Sequence, residues 1–253
     1  MQTKEQRKEE DSLIFGIRPI IETINAGKEI DKLLVQSGLK SELISQLMGL
    51  LKQKNIPFQY VPVEKLNRLT SKNHQGVVGY ISTISYYKIQ DVLPGVFEEG
   101  KVPLLLILDR ITDVRNFGAI ARTAECSGVN AIIIPSRGSA QINADAIKTS
   151  TGALQKIPVC KEENLKTTID YLKECGLQII ACTEKTTEYY FQIDFTVPTA
   201  IIMGSEEDGI LNEYLQKSDG KAKIPLMGEI GSLNVSVAAG IILYEAVSQR
   251  LVH

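Results

Sequence analysis

Residues 104–123 read LLLILDRITDVRNFGAIART: an apolar run, a polar turn, and then the start of a helical segment over Gly118–Ser127. Five large aliphatic residues without polar alternation are typical of a parallel strand that is buried on both faces. The order of strand, polar turn and helix therefore predicts an α/β unit that begins near Pro103.

The same arrangement recurs toward the C-terminus. Further strands are predicted at Ala131–Ile134, Leu177–Cys182 and Ala200–Met203, and further helices at Ala144–Leu154, Leu165–Cys175 and Val235–Leu251. Alternating strands and helices predict the α/β fold class with a parallel sheet. Because open α/β sheets bind ligands beyond the carboxyl ends of their strands, the polar residues at those ends are candidate site residues.

Three polar clusters are found at such positions. They are residues 109–123, the acidic turn of residues 201–209 (IIMGSEEDG), and the loop of residues 223–236 (KIPLMGEIGSLNVS). The acidic turn lacks the Lys-Ser/Thr pair of a phosphate-binding loop and would repel an anion, so it suits a cationic ligand or an arginine better. The third cluster exposes backbone groups that can recognise an adenine edge.

Each of these residues also has an ordinary structural interpretation. Asn116 is a suitable N-cap for a helix beginning near Phe117, and Arg122 could form a surface salt bridge. The acidic turn could cap the next helix and favour its dipole. The individual residues leave both interpretations open.

The segment 12–85 is predicted to be a separate small α/β domain. Ile30–Gln36, Phe58–Val63 and Val77–Ile84 resemble strands, and Leu43–Lys54 has the apolar periodicity of an amphipathic helix. The Pro/Gly-containing stretch 86–102 is the expected linker, and residues 1–11 are an expected flexible N-terminus. A second, larger α/β domain is expected over 103–253.

Charge and composition narrow the function classes. Residues 1–85 carry 12 Lys/Arg against 9 Asp/Glu, whereas residues 86–253 carry 16 against 21, so the basic excess lies in the N-terminal part. A local basic patch is enough for a nucleic-acid partner. The charged start resembles no signal peptide, and no apolar run approaches the length of a membrane span, so we expect a cytoplasmic protein without a membrane partner.

The four cysteines form no CxxC pair, and two histidines offer little for a metal. Since zinc usually takes about four such ligands, no metal site is expected, and the cysteines are expected to be reduced thiols.

Taken together, the three clusters resemble the motifs of the SpoU/TrmH (SPOUT) family of RNA 2′-O-ribose methyltransferases. Asn116, Gly118 and Arg122 match the first motif, and Gly204, Glu206 and Gly209 match the second. The third motif matches Ile224-Pro225 and residues 232–236, SLNVS. The likeness is greatest to the family member that modifies a guanosine of 23S rRNA, through residues 139–144, 15–17 and 74–76. Arg18, where a histidine is common, and Glu207, where glycine is common, depart from the pattern.

The resemblance implies a fold, a cofactor and partners. The catalytic domain would contain a C-terminal trefoil knot, and the N-terminal domain would be a ribosomal-protein-like RNA-binding module. S-adenosylmethionine would be the cofactor, RNA (23S rRNA above all) the substrate, and a second copy of the chain the partner in a homodimer. The apolar C-terminal helix, predicted to be buried nearly all round, also fits such a dimer.

The resemblance also implies roles for individual residues. Arg122 would relay the 2′-hydroxyl proton or stabilise the developing alkoxide. Asn116 and Asn234 would orient these groups, and Glu206 would hold an arginine or the knot loops. The catalytic candidates are Arg122, Asn116, Glu206, Ser232 and Asn234, and the cofactor-binding candidates are Met203, Gly204, Ile224, Met227, Ser232 and Leu233.

Three alternatives remain at this point. A tRNA substrate is the first, and a non-catalytic RNA-binding or ribosome-assembly protein of the same fold is the second. The third, an ordinary doubly wound enzyme with a nucleotide cofactor, would need a phosphate loop that the sequence does not show.

Overall fold

The computed structural model describes residues 13–54, 56–140 and 142–252, and the chain divides into two units. One unit is formed by the described residues up to Ser85 together with residues 142–144, and the other by the remaining described residues. The expected flexible N-terminus, residues 1–11, lies outside the described residues.

The N-terminal unit is a four-stranded sheet with helices on both faces. Its elements are β1 (Leu13–Phe15), α1 (Ile17–Asn25), β2 (Ile30–Gln36), α2 (Glu42–Gln53), β3 (Phe58–Val61), α3 (Val63–Leu69) and β4 (Val77–Ile81). The strand order is β1-β4-β2-β3; β4 runs antiparallel to both neighbours, and β2 pairs parallel with β3. Ile20 and Leu47 bring α1 and α2 onto one face, and Leu66 of α3 packs on the other. The sequence prediction of β2 and α2 is confirmed.

The turn 74–76 precedes β4 and is hydrogen-bonded to α3 and to the start of α1. Nδ1 of the buried His74 accepts the Gly76 N–H at 2.9 Å, and its Nε2 lies 2.8 Å from Oδ1 of Asn67. Oε1 of Gln75 accepts the first amide of α1, from Ile17. These three residues therefore have a local structural role.

The second unit is built on a seven-stranded parallel sheet. Its strands are β5 (Tyr86–Tyr87), β6 (Leu104–Leu108), β7 (Ala131–Pro135), β8 (Val159–Glu162), β9 (Gln178–Cys182), β10 (Thr199–Met203) and β11 (Gly220–Ala222), in the order β11-β9-β10-β6-β7-β8-β5. Its helices are α4 (Ile89–Glu98), α5 (Val114–Cys126), α6 (Ala144–Thr149), α7 (Leu165–Glu174), α8 (Asn212–Lys217) and α9 (Val235–Val252). Every residue of β6 and β10 is buried, as the apolar runs predicted.

The segment 86–102 is not the linker that the sequence suggested. It supplies the edge strand β5 and the helix α4, whose Ile89 and Leu93 are buried in the core of the second unit. The buried Glu162 accepts the Ile89 N–H at 2.9 Å and so caps this helix. Burial of an apolar face outweighs Pro94 inside the helix, one of the proline and glycine residues on which the linker prediction rested.

Helix α6 is also shorter than predicted. It ends at Thr149, and a short 3₁₀ turn over Ala153–Gln155 takes up the rest of the predicted segment. Thr151 and Gly152 adopt positive φ angles of 53° and 85°, which an α-helix does not allow.

Helix α9 has two apolar faces, of which one is buried and the other is exposed. Val235, Ala239, Ile242, Leu243 and Ala246 are buried, and the helix packs against α5. Val237, Tyr244 and Leu251 recur every seven residues and are 51%, 52% and 81% exposed. Within this chain the helix is therefore buried on one face and not nearly all round as expected. Its length and apolar composition would also suit a membrane span, and its buried residues lie on the face that packs against α5.

Candidate functional site

The site lies where β6 and β10 end side by side. Leu108 and Met203 are in register in the parallel pair, and the Asp109 N–H donates to the Met203 carbonyl at 2.8 Å. Since both strands point the same way, the polar clusters that follow them meet at one edge of the sheet. The motif-bearing loops are therefore neighbours in space although 95 residues separate Asp109 from Gly204.

The loop after β10, residues 204–211, folds tightly back on itself. Gly209 donates its N–H to the Ser205 carbonyl at 3.0 Å and adopts a φ of 69°. A Cβ on Gly204 would lie 2.2 Å from the carbonyl carbon of Gly209 and 2.3 Å from the Ile210 nitrogen. Glycine at 204 is thus required by the close approach of the backbone.

Arg110 clamps this loop to the end of β6. Its Nη1 donates to Asp208 Oδ2 at 2.9 Å, its Nη2 to the Gly209 carbonyl at 3.0 Å, and its Nε to Asp109 Oδ1 at 3.1 Å. The buried Asp109 also accepts the Leu211 N–H at 2.8 Å. The hydrogen bond to Asp109 raises the pKa of the Arg110 guanidinium, and Asp208 adds to the effect.

Asp113 begins helix α5, and Asn116 does not. Oδ1 of Asp113 accepts the Asn116 N–H at 2.7 Å, which is the usual N-cap geometry. The predicted N-cap at Asn116 is therefore wrong, because an equally good capping residue lies three positions earlier. This leaves the Asn116 side chain, on the first turn of α5, available for another contact.

Asn116, Glu206 and Asn234 form a hydrogen-bonded cluster. Nδ2 of Asn116 donates to Glu206 Oε1 at 2.9 Å, and Nδ2 of Asn234 donates to the same oxygen and to Asn116 Oδ1, both at 3.0 Å. Oδ1 of Asn234 accepts the Ser236 N–H at 2.9 Å and so caps α9. One residue from each of the three polar clusters thus meets here. Glu206 thus joins the first turn of α5 to the loop of residues 223–234, and the nearby Arg110 pairs with Asp208.

A cavity of about 580 Å³ lies beside this cluster. Five of the predicted cofactor residues line it: Met203, Gly204, Ile224, Ser232 and Leu233. Met227 does not line it, and its side chain is 96% exposed. The neighbouring Leu226 is in the wall, as is Thr183 at the end of β9.

A second cavity of about 290 Å³ shares a wall with the first. Its lining includes Arg110, Thr112, Asp113 and Asn116. Residues 205–208 and Val235 line both cavities, so the tight loop separates them. Glu206, which carries both asparagine amides, lies in this partition.

The larger cavity is predominantly acidic. Its lining carries four carboxylates (Glu184, Glu206, Glu207 and Asp208) and two ammonium groups (Lys185 and Lys223). Burial raises the pKa of the Cys182 thiol, also in the lining, to about 12, so this sulfur stays protonated at neutral pH. Such a cavity favours a cationic ligand and offers it no thiolate nucleophile.

Arg122 lies apart from the cluster. It is exposed on α5, lines neither cavity, and makes no hydrogen bond or ion pair with the rest of the described chain. Six residues along an α-helix turn a side chain about 120° away and about 9 Å further on, so Asn116 and Arg122 cannot face the same point. Within one chain, Asn116 and Arg122 of the first motif therefore do not face the same site.

No individual role was predicted from the sequence for Arg110, Asp208 or Asp113. Asp113 had a readable signal, since Asp at the start of a helical segment is a preferred N-cap. The pairing of Arg110 with Asp208 spans 98 positions and depends on a φ of 58° at Arg110, which no local pattern indicates. Among the described residues, no group of three His, Cys, Asp or Glu is placed to hold a metal ion.

Comparison with known families covers most of the chain. Residues 103–244 match the SpoU rRNA methylase family, and residues 13–87 match a family described as RNA 2′-O ribose methyltransferase substrate binding. The two matched regions correspond to the two units of the structure.

Individual relatives agree with these matches. The chain is 33% identical to the putative TrmH family tRNA/rRNA methyltransferase YacO of Bacillus subtilis, over 94% of this chain and 95% of the relative. The SpoU methyltransferase AviRb of Streptomyces viridochromogenes superposes with a TM-score of 0.60 at 25% identity, covering 99% of this chain and 94% of that one, and has also been solved with AdoMet.

A third relative is shorter. The A. aeolicus TrmH/SpoU tRNA modifying enzyme is 32% identical with a TM-score of 0.55, and the match covers 60% of this chain and 77% of that one. Motifs, fold and relatives agree: the chain belongs to the SpoU/TrmH family of RNA methyltransferases.

Proposed function

We propose that this protein methylates a ribose 2′-hydroxyl of RNA with S-adenosylmethionine as the methyl donor. The observation that carries the proposal is the Asn116–Glu206–Asn234 cluster in the wall between two cavities. We assign the larger cavity to the cofactor and the smaller one to the acceptor nucleotide. The matched substrate-binding family supports the ribose as the position modified.

The larger cavity fits this cofactor in size and charge. A volume of about 580 Å³ is within the usual range for ligand sites. S-adenosylmethionine supplies an electrophilic methyl group on a positively charged sulfonium, which the surplus of carboxylates in the wall would attract. Met203, Gly204, Ile224, Ser232 and Leu233 are the proposed contacts. The loop 223–234 would provide backbone donors and acceptors for the adenine.

The chain's own residues position the acceptor and manage its proton. Transfer of the methyl group to the 2′-oxygen would form an O–C bond, break the S–C bond so that the sulfur leaves as a neutral thioether, and release the hydroxyl proton. Arg122, permanently protonated, would stabilise the developing alkoxide or relay that proton to a phosphate. Asn116 and Asn234 would hold Glu206 and the two helix N-termini in place, and Ser232 completes the proposed catalytic set. Positioning of this kind supplies much of the rate in a transfer reaction.

We further propose a homodimer through the second unit, whose C-terminal part would contain the trefoil knot. The exposed stripe Val237, Tyr244 and Leu251 on α9 gives a partner helix an apolar surface at a seven-residue repeat. Because Arg122 lies outside both cavities of its own chain, the partner's cavity is the proposed place where it acts.

Mixing two inactive variants tests the shared site. If Arg122 acts in the partner's cavity, a heterodimer of Arg122→Ala with Glu206→Ala, which removes the oxygen that accepts both asparagine amides, has one intact site, and mixing recovers about a quarter of the native activity. Sedimentation of each variant alone establishes the oligomeric state. A dimer that shows no recovery would mean that Arg122 does not act across the interface.

The proposed target is a guanosine of 23S rRNA. The N-terminal unit supplies a second RNA-binding surface, and the matched family of the second unit is described by rRNA. The tRNA modifying relative matches only 60% of this chain, which favours rRNA over the alternative tRNA target. Since ribosomal RNA is the proposed substrate, the expected location is the cytoplasm, away from membranes.

Two measurements test the central proposal. Calorimetry should show binding of S-adenosylmethionine, and mass-spectrometric mapping of ribose methylation in a deletion strain should show one missing methyl group in 23S rRNA. Arg122→Ala should lower single-turnover methylation by about 10²–10³ with cofactor affinity unchanged. If the protein binds the cofactor but the deletion strain keeps every methyl group in its RNA, the non-catalytic alternative is favoured. If a methyl group is missing from tRNA, the tRNA substrate is favoured.

A further inference from the structure

Three aromatic rings and a lysine form a cluster beside the larger cavity, in which Phe191 is exposed and the other three side chains are half-buried. The Tyr189 and Phe191 rings are stacked, with centroids 5.3 Å apart and an interplanar angle of 11°. Tyr190 meets Phe191 edge-on at 5.3 Å, and Lys223 Nζ lies 4.8 Å from the Tyr189 centroid. Phe191 is 53% exposed, which is unusual for a ring in an aromatic cluster.

The backbone holds this cluster rigidly against the cavity wall. Lys223 lines the cavity and pairs with the aromatic segment through two backbone hydrogen bonds, from Tyr190 N–H to the Lys223 carbonyl and from Lys223 N–H to the Glu188 carbonyl, each 3.0 Å. On the other side, Gln249 of α9 donates to the Ile193 carbonyl at 2.9 Å. The rings are therefore presented at a fixed place next to the proposed cofactor site.

We propose that Phe191 and Tyr189 form a stacking platform for a nucleobase of single-stranded RNA, next to the nucleotide that is methylated. The inference rests on the proposed function, which brings RNA to the smaller cavity that shares a wall with this one. An aromatic face with an ammonium group beside it suits a nucleotide, since the base stacks on the ring and the phosphate meets the charge. A protein partner is a poorer fit, because the buried centres of protein interfaces are depleted in lysine.

The composition of the chain provides a sharp test. The protein contains no tryptophan, so Phe191→Trp introduces a single fluorescent reporter at the platform. Stacking of a base on this indole should quench its emission by more than half, with the lifetime of the remaining emission unchanged. Phe97→Trp is the matched control, because Phe97 is 40% exposed on α4 of the same unit and belongs to neither cavity.

Two RNA probes are titrated into the full-length variants: a labelled oligoadenosine octamer and protein-free 23S rRNA. We expect quenching of the reporter at 191 by one or both, and none at 97. Measured by anisotropy, Phe191→Ala and Phe191→Leu should weaken octamer binding roughly 5- to 100-fold, whereas Phe191→Trp should preserve it. Leucine separates the loss of the aromatic face from the loss of apolar area.

The outcomes distinguish this proposal from the function on which it rests. If S-adenosylmethionine binds and RNA is methylated but neither RNA quenches the reporter at 191, the platform is wrong and the function stands. A shift of its emission with protein concentration alone would mean that a second copy covers the rings, which also overturns the platform. Failure of cofactor binding in the native protein would instead count against the proposed function.

Discussion

Two loops line the same cavity and are built in opposite ways. The loop of residues 204–211 is held by Arg110, by the close approach at Gly204 and by the two amides on Glu206. The loop of residues 223–234 exposes apolar side chains, with Met227 at 96% and Ile230 at 80%. The first loop is thus fixed before any ligand arrives, whereas the second has apolar surface left for a ligand or partner to cover.

The difference indicates a division of labour in the site. A partition between two cavities must keep its shape if it is to fix the distance between cofactor and acceptor, and preorganised groups lose little freedom on binding. A loop that contacts the cofactor through its backbone can close onto it. Substitutions should therefore cost more folding stability in the first loop than in the second.

The largest expected effect is that of Gly204→Ala. The new methyl group would lie 2.2 Å from the Gly209 carbonyl carbon, so the backbone must move, at a cost of about 3 kcal/mol or more. Thermal unfolding and calorimetry with S-adenosylmethionine should show a destabilised protein that has lost cofactor binding.

Gly228→Ala is the matched control from the open loop. Among the described residues, nothing lies within 4 Å of a Cβ placed there, and its φ is not positive. We expect a change in stability within about 0.5 kcal/mol. Equal losses in the two variants would refute the contrast between the loops.

The sequence predicted the edge of the sheet better than it predicted the contacts there. Buried strands such as β6 and β10 are readable because parallel strands need apolar residues on both faces, and their shared direction brings Asn116 and Glu206 together. The capping error arose because Asp113 and Asn116 are both good N-caps three residues apart. Helix α4 was missed because the Pro94-Gly95 pair outweighed the apolar spacing of Ile89 and Leu93.

The contacts that were missed depend on long-range geometry. Arg110 reaches Asp208 because its backbone turns left-handed at the end of β6, and a lone arginine in a polar turn carries no sign of this. Likewise, Arg122 belongs to a sequence motif with Asn116, although the helix points the two side chains apart. A motif therefore identifies residues that serve one reaction without showing that they meet within one chain.

The second prediction concerns Asn234, which has two separable roles. Its Oδ1 caps α9, and its Nδ2 holds Glu206 and Asn116. Asn234→Ser keeps a capping oxygen, since serine is as good an N-cap as asparagine, but it lacks the amide donor. We expect unchanged thermal stability and a roughly 10²-fold loss of single-turnover rate from misplacement of the cluster.

Asn234→Ala removes both roles and should add a loss of about 1 kcal/mol in stability to the loss of rate. If the serine variant retained the native rate, the cluster would be a structural link between loops and not part of the catalytic arrangement.

The third prediction concerns the clamp. Arg110→Asn keeps a residue that tolerates positive φ but removes the guanidinium, which leaves the buried Asp109 with fewer partners. We expect cofactor affinity to fall by about tenfold, the effect of losing a hydrogen bond to a charged group. Arg110→Lys should rescue little, because an ammonium cannot reproduce the fork that reaches three partners.

Asp208→Asn serves as the control for the clamp. The Asp208 side chain is 70% exposed. The Arg110 guanidinium that it pairs with also donates to Asp109 and to the Gly209 carbonyl. Calorimetry should show an affinity close to that of the native protein. A loss as large as that of Arg110→Asn would mean that the exposed pair, and not the buried Asp109, carries the clamp.

The smallest effect is expected in the open loop, where two neighbours differ in exposure. Leu226 lines the larger cavity and is 39% exposed, whereas Met227 lies outside the lining and is 96% exposed. Leu226→Ala should therefore lower the affinity for S-adenosylmethionine by roughly tenfold, as expected when about 1.5 kcal/mol of apolar contact is lost. Met227→Ala should change the affinity by less than about threefold, since truncation of an exposed side chain seldom costs more than about 0.5 kcal/mol. Titration calorimetry on both variants measures the difference directly, and thermal unfolding shows whether either has lost its fold.

A large loss of affinity from Met227→Ala would mean that the loop closes and turns this side chain onto the cofactor. That result would restore Met227 as a cofactor contact and would show that the open loop moves further than backbone contacts alone require.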